Sequence, residues 1–112
     1  MKLQACLNGG IRPGVASGVP MTPEALASEA KAAVAAGAEC LHIHPRDASG
    51  EETLAPEPVA AALSAIRAAV PGVAVGLGTG DWIAPGGTAR HADIAGWTVL
   101  TDYVSSNLRE PD

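Results

Sequence analysis

Leu41-His42-Ile43-His44-Pro45-Arg46-Asp47 is the stretch on which the reading of this chain turns. It reads as the end of a buried strand running into a loop, with two imidazoles two residues apart. Successive strand side chains alternate faces, so His42 and His44 share one face and Ile43 takes the other. Their Cα atoms are expected roughly 6.5 Å apart, which lets two ring nitrogens converge on one cation at about 2.0–2.1 Å each. Neutral imidazole suits a borderline Lewis acid, so zinc is the metal such a pair favours. The alternative is two histidines hydrogen-bonded in a core or at its rim.

Upstream, this strand extends back to Glu39 and follows a helix with clear ends. Thr22 suits the N-cap, Pro23 the first helical position and Glu24 the positive end of the dipole. Leu26, Ala30, Ala33, Val34 and Gly37 recur at helical spacing, with Gly37 as the stop. Before it, Lys2 to Leu7 reads as a first strand, ended by Asn8-Gly9-Gly10. A Gly/Pro-rich loop then runs to about Met21, a length that is usually functional or mobile.

Downstream, the loop Pro45 to Thr53 turns at Ser49-Gly50. Pro56-Glu57-Pro58 opens a second helix, whose buried stripe is Val59, Leu63, Ile66 and Val70 and which closes at Pro71-Gly72. Val73 to Gly78 is a third strand, Thr88 to about Ala95 a short third helix, and Asp102 to Asn107 a fourth strand.

The order β-α-β-α-β-α-β, with long crossovers, predicts an α/β fold of parallel βαβ units. Both faces of a doubly wound sheet should be apolar. Here Leu41 and Ile43, or Val73, Val75 and Leu77, make one greasy face. The other carries Cys40, His42 and His44; Ala74, Gly76 and Gly78; and Tyr103, Ser105 and Asn107. That asymmetry fits the wall of a (β/α)8 TIM barrel, with helices outside and a ligand-accommodating mouth inside. Four strands cannot close such a barrel, so residues 1–112 are expected to be a single partial domain, strands 1–4, with the C-terminal half absent. Its open edges predict pairing with another chain, and a homo-oligomer.

Composition narrows the function classes. The formal charge is −5 over 112 residues, and no Lys/Arg cluster exists, which argues against nucleic acid and anionic membrane surfaces. No apolar run approaches the ~20 residues of a membrane span, and Met1-Lys2-Leu3-Gln4 enters a strand directly, without a signal peptide. Cys6 and Cys40 fall inside strands, where a small buried thiol is the ordinary role. A cytoplasmic setting is expected.

Active sites of parallel barrels gather at the carboxyl ends of strands. Asn8, His42, His44, Thr79, Ser105 and Asn107 all sit at such ends. For Asn8 and Thr79 the competing role is turn chemistry; for Ser105 and Asn107 it is a satisfied rim hydrogen bond. A catalytic zinc usually takes three protein ligands. Cys40 is ~13 Å along the strand from His44, too far to share an ion. Asp47, Glu51, Glu52 and His91 lie in polar loops or a helix, where solvated side chains are expected. The third ligand is therefore expected outside these residues. Arg46 and Asp47 read as loop charges, and Trp82 and Trp97 as packing residues.

The runs QACLNGG, VPMTPEAL, LHIHPRDASGEETL, GLGTGDWI and YVSSNLREPD together resemble the β-keto acid cleavage enzymes, the family of the 3-keto-5-aminohexanoate cleavage enzyme. The resemblance covers essentially the whole chain, and the HxHxRD strand is its most specific part. It implies a zinc-dependent (β/α)8 barrel of which this chain is the N-terminal portion. His42 and His44 match the two histidine zinc ligands, and the third, a late-strand glutamate, is not in this sequence. Thr79 and Gly80 match the loop that holds the substrate carboxylate. Gly78 departs from the serine usual there, which removes a hydroxyl contact. Ser105 replaces a hydroxyl residue of similar role, and Asn107 matches an asparagine beside it. No catalytic base is visible; the family's catalytic arginine and aspartate would lie downstream.

The implied reaction converts a β-keto acid and acetyl-CoA to acetoacetate and a new acyl-CoA by Claisen and retro-Claisen steps, an acyltransferase chemistry. This chain by itself is expected to be inactive. Two alternatives stand beside it. One is a metal-dependent hydrolase on the same barrel, where an HxH pair is commoner on the first strand. The other is a non-catalytic half-barrel that associates with another chain.

Overall fold

The computed structural model describes residues 1–109. The last three residues of the YVSSNLREPD run, 110–112, lie outside the described residues. The elements are β1 (Gln4–Cys6), α1 (Pro23–Ala35), β2 (Cys40–Ile43), α2 (Pro56–Ala69), β3 (Ala74–Gly78), a 3-10 turn (Asp81–Ile83), α3 (Thr88–Ala95) and β4 (Tyr103–Ser105). The strands form one parallel sheet in the order β1-β2-β3-β4. It is an open run of βα units, half of a β/α barrel, and the sheet does not close. No helix among the described residues is long and apolar enough to cross a membrane.

Helix α1 begins where its capping chemistry says it should. Thr22 Oγ1 accepts from the backbone N–H of Ala25 at 3.1 Å, which satisfies one of the orphan donors of the first turn of α1. Pro56 opens α2 without a side-chain cap. The strands are shorter at their ends than the sequence pattern predicts, because a ladder position needs a partner as well as an extended backbone. The 3-10 turn after β3 was not expected from the sequence.

The core lies between the sheet and α1–α2. Leu41 and Ile43 of β2 and Val75 and Leu77 of β3 are fully buried against Leu26 and Ala30 of α1 and Val59, Ala62, Leu63 and Ile66 of α2. The register pairs Leu41 with Val75 and Ile43 with Leu77, so the apolar rows of the two strands align. Trp97 packs against the edge of this core and donates from Nε1 to Leu54 O at 2.8 Å, the packing role expected of it. Val104 of β4 remains exposed, since α1 and α2 cover the middle of the sheet.

The opposite face carries Cys6, His42, Gly76 and Tyr103 at one level across all the strands. Tyr103 lies flat across it. A Cβ on Gly76 would stand 2.1 Å from Tyr103 Cε2, so only glycine admits the ring. The phenol donates to Leu41 O and accepts from Gln4 Nε2 at 2.7 Å, which ties β4 to β2 and β1. Burial pushes the Tyr103 phenol above its ordinary value. Cys6 is exposed and Cys40 half-buried, both free thiols. The expectation of two buried cysteines is thus corrected: both lie on the face that α1 and α2 do not cover.

At the other end of β4, Asp102 Oδ2 accepts from Val75 N at 2.9 Å and from Arg67 Nη2 at 3.2 Å. Arg67 also donates to Leu100 O at 2.7 Å, so the last turn of α2 holds the approach to β4. The Val75 N–H, followed by Arg67, holds the Asp102 carboxyl below its ordinary 3.8. A carboxylate with a depressed folded-state value stabilises the fold above the unfolded value, and that contribution is lost as pH falls through the folded value. Asp102→Asn is therefore expected to lower stability at neutral pH by roughly 1 kcal/mol after allowance for solvent screening, with the difference from wild type shrinking in acid as the carboxyl takes up its proton; urea melts across pH check this. Gly76→Ala is expected to destabilise by roughly 1–3 kcal/mol through overpacking against Tyr103. In a Tyr103→Ala background the Gly76→Ala penalty should shrink, which a double-mutant cycle of urea midpoints measures.

Candidate metal and substrate site at the mouth of the sheet

The polar landmarks meet above the carboxyl ends of β1, β2 and β3. Alternation places the Leu41 and Ile43 side chains outward under the helices, so those of His42 and His44 turn to the other face. Their ring centroids are 5.3 Å apart with planes inclined at 71°. Two imidazoles on one tetrahedral zinc have centroids about 5.2 Å apart, given Zn–N bonds of about 2.0–2.1 Å, so the pair has the spacing of two ligands on one ion. Among the described residues no three His, Cys, Asp or Glu side chains form a metal-sized cluster. Burial, and secondly the neighbouring His44, hold the His42 imidazole below its ordinary 6.5, which favours the neutral, metal-binding form.

His44 follows the last residue of β2 and is held from three sides. Its backbone N–H donates to Asn8 Oδ1 at 2.9 Å, and its carbonyl accepts from Asn8 Nδ2 at 2.8 Å. Asn8 Nδ2 also donates to Pro20 O at 3.2 Å. The buried Asn8 amide thus clamps the backbone at His44 and the end of the long β1 loop. The His44 ring lies over Gly78, where a Cβ would stand 2.7 Å from its Cε1 and 3.0 Å from its Nε2. Gly78 therefore makes room for an imidazole, a role that its reading as a missing hydroxyl did not include. The His44 Nδ1–H donates to Glu52 Oε1.

Glu52 corrects the expectation of a solvated loop residue. Asp47 Oδ1 accepts from Ser49 N at 2.9 Å, Ser49 Oγ at 2.6 Å and Glu51 N at 3.1 Å, which folds the loop tightly. These bonds, the Ser49 hydroxyl first, hold the exposed Asp47 carboxyl below its ordinary value. Asp47 N to Glu51 O and Thr53 N to Pro45 O complete a small hairpin in which the backbones of Arg46 and Glu52 pair as an antiparallel β-bridge. The return arm brings Glu52 back to His44.

Arg46 is a second correction, because it is buried rather than a loop charge. Its guanidinium donates to Gly9 O at 2.6 Å, Ile11 O at 2.9 Å, Gly50 O at 3.1 Å and His44 O at 3.3 Å. It stitches the β1 loop to the β2 hairpin through carbonyl oxygens, which Lys could not do with the same fork. Trp82 is the third. Its ring is 56% exposed, lies against Gly80 and donates from Nε1 to Glu52 Oε2 at 2.8 Å. Gly10, Arg12, Arg46, Glu51, Glu52 and Trp82 line a cavity of about 310 Å³ beside the imidazoles.

The other candidates sit around this centre. Thr79 is buried; its N–H and Oγ1 both donate to Ser105 O, at 3.2 and 2.7 Å, so β3 and β4 stay joined beyond their last pair. Gly80 is buried beneath the Trp82 ring at the start of the 3-10 turn. Ser105 closes β4 opposite Gly78 and is exposed, and Asn107 lies exposed beyond it. His91 is an exposed residue of α3, as expected. The residues that sequence reading missed, Glu52 above all, had one available signal: the Asp47-Ala48-Ser49-Gly50 turn sets the hairpin register that returns Glu52 to His44.

A family model for the beta-keto acid cleavage enzymes matches residues 2–110. The chain belongs to that family. The matched span takes in β1 through β4 and every residue placed at the mouth, the imidazole pair among them.

Asn8→Ala is expected to leave the His44 N–H and carbonyl without their partner and to cost roughly 1–3 kcal/mol. Thermal unfolding and amide hydrogen exchange at His44 check this, with the largest loss of protection expected at that amide.

Proposed function

We propose that this chain carries the metal-binding and carboxylate-binding part of a site that cleaves a β-keto acid with acetyl-CoA, releasing acetoacetate and a new acyl-CoA. The observation that supports it most is the imidazole pair, 5.3 Å between centroids at a strand end, inside a chain of the β-keto acid cleavage family. His42 and His44 would hold a zinc ion through nitrogen. Zinc so held supplies Lewis acidity toward oxygen ligands, which makes a proton flanked by two carbonyl carbons easier to remove.

The chain's own residues contribute orientation. Asn8 fixes the backbone from which the His44 ring projects, and Gly78 leaves the space that ring occupies. Thr79 spends its hydroxyl proton on Ser105 O, which leaves its oxygen lone pairs as acceptors. Gly80, Ser105 and Asn107 lie where a substrate carboxylate and its chain would run along the β3–β4 side. Trp82 and the neighbouring cavity offer an apolar wall and a polar end to the remainder of the substrate. The open edges of β1 and β4 support closure against further strands, in the same protein or in a second copy. The HxH pair is on β2 rather than the first strand, which favours this reading over a metal-dependent hydrolase.

The test begins with zinc titration of the chain. One zinc per chain is expected, lost with His42→Ala and on chelation. Within a protein carrying a complete barrel, acetoacetate release from a β-keto acid and acetyl-CoA is expected to fall by roughly 100-fold or more on His42→Ala, in line with the several kcal/mol a Lewis acid contributes. Turnover indifferent to both the substitution and the chelator would overturn the proposal.

A further inference from the structure

Glu52 reaches the mouth from a hairpin arm and spends its two carboxylate oxygens on two different ring N–H groups. Oε1 accepts from His44 Nδ1, and Oε2 accepts from Trp82 Nε1 at 2.8 Å. The imidazole has two nitrogens, and when neutral only one carries hydrogen. A carboxylate is an acceptor only, so the nitrogen that faces it must be the protonated one. The other nitrogen, Nε2, then carries the lone pair; the ring lies over Gly78 with Cε1, Nε2 and Nδ1 at 2.7, 3.0 and 3.2 Å from where a Cβ would stand.

We propose that Glu52 is the positioning residue for His44: its carboxylate, steadied by the Trp82 indole, locks the ring in the Nδ1–H tautomer and aims the Nε2 lone pair at the bound cation. This rests on the reading of His44 as a zinc ligand and extends it to a residue that does not touch the ion. An imidazole ligand commonly donates its second N–H to a carboxylate, which fixes its orientation and raises its basicity. Three features of this chain build that arrangement. The Asp47 turn sets the hairpin register, the backbone β-bridge between Arg46 and Glu52 holds the arm beside β2, and Trp82 takes the oxygen that His44 leaves.

The experiment uses the full chain, with nitrogen-15 in its histidine rings, metal-free at about pH 8.5, where ordinary imidazole is neutral. His44 is expected to show hydrogen on Nδ1 and none on Nε2. In Glu52→Ala the ring should move to the Nε2–H form, and zinc affinity, read by competition with a chromophoric chelator, should fall roughly 10- to 100-fold. Glu52→Gln keeps an acceptor oxygen and should hold both the tautomer and the affinity within a few-fold of wild type. A wild-type ring protonated on Nε2 overturns the proposal without recourse to any variant. So does Glu52→Gln losing as much zinc affinity as Glu52→Ala, which would put the carboxylate on the ion itself. If the wild-type chain binds no zinc while the His44 tautomer still follows Glu52, the metal reading fails and the positioning by Glu52 stands.

Discussion

The constraint beneath everything else is the two-residue period of a strand pressed under two helices. β2 and β3 each present an apolar row to α1 and α2, and Leu41, Ile43, Val75 and Leu77 are wholly buried there. Each such side chain is worth about 1.5–3 kcal/mol when buried. A slip of one residue would exchange that row for His42 and His44 on one strand and for glycines on the other. Register is therefore set firmly by the core, and the direction of the two imidazoles follows from it. The site's position is a consequence of burying the opposite face.

Having turned inward, these side chains need space and partners. Space comes from missing Cβ atoms: Tyr103 lies over Gly76, His44 over Gly78 and Trp82 over Gly80. Three successive small positions on one face of one strand and its exit thus receive three rings, two from other strands and their ends and one from the turn that follows. Partners come from buried polar side chains aimed at backbone. Asn8 clamps the exit of β2, and Arg46 gathers carbonyls from the β1 loop and the hairpin. Unpaired, those carbonyls and N–H groups would each cost about 1–3 kcal/mol in such surroundings. The loops at the mouth are consequently ordered by the same residues that surround the candidate ligands.

Legibility differed from one residue to the next for reasons that can be named. His42, His44 and the helices could be read because periodicity and capping are local properties of the chain. The α2 stripe of Val59, Leu63, Ile66 and Val70 is buried throughout for the same reason. Glu52, Arg46 and Trp82 could not be assigned from polarity alone, since charged and aromatic residues in loops are usually solvated or packed singly. Much of their pairing depends on segments 30 or more residues away, as in the Trp82–Glu52 bond with its separation of 30 and the Arg46–Gly9 bond with its separation of 37, and the shorter Glu52–His44 bond depends on a hairpin register that polarity does not state. The two cysteines illustrate the converse. A strand position predicts burial only where something covers that face, and nothing local states what does.

By itself the sequence determined the order of elements, which face of each strand is apolar, where the helices begin, and which pair of imidazoles shares a face. These follow from backbone geometry and short-range chemistry, which act over a few residues. Only the tertiary structure decided that Asn8 serves the backbone at His44, that Gly78 yields its space to a ring, and that Glu52 returns across a hairpin to His44 and Trp82. Those outcomes depend on how separate segments divide a small volume of space and a limited number of donors and acceptors, and no single stretch of chain contains that information.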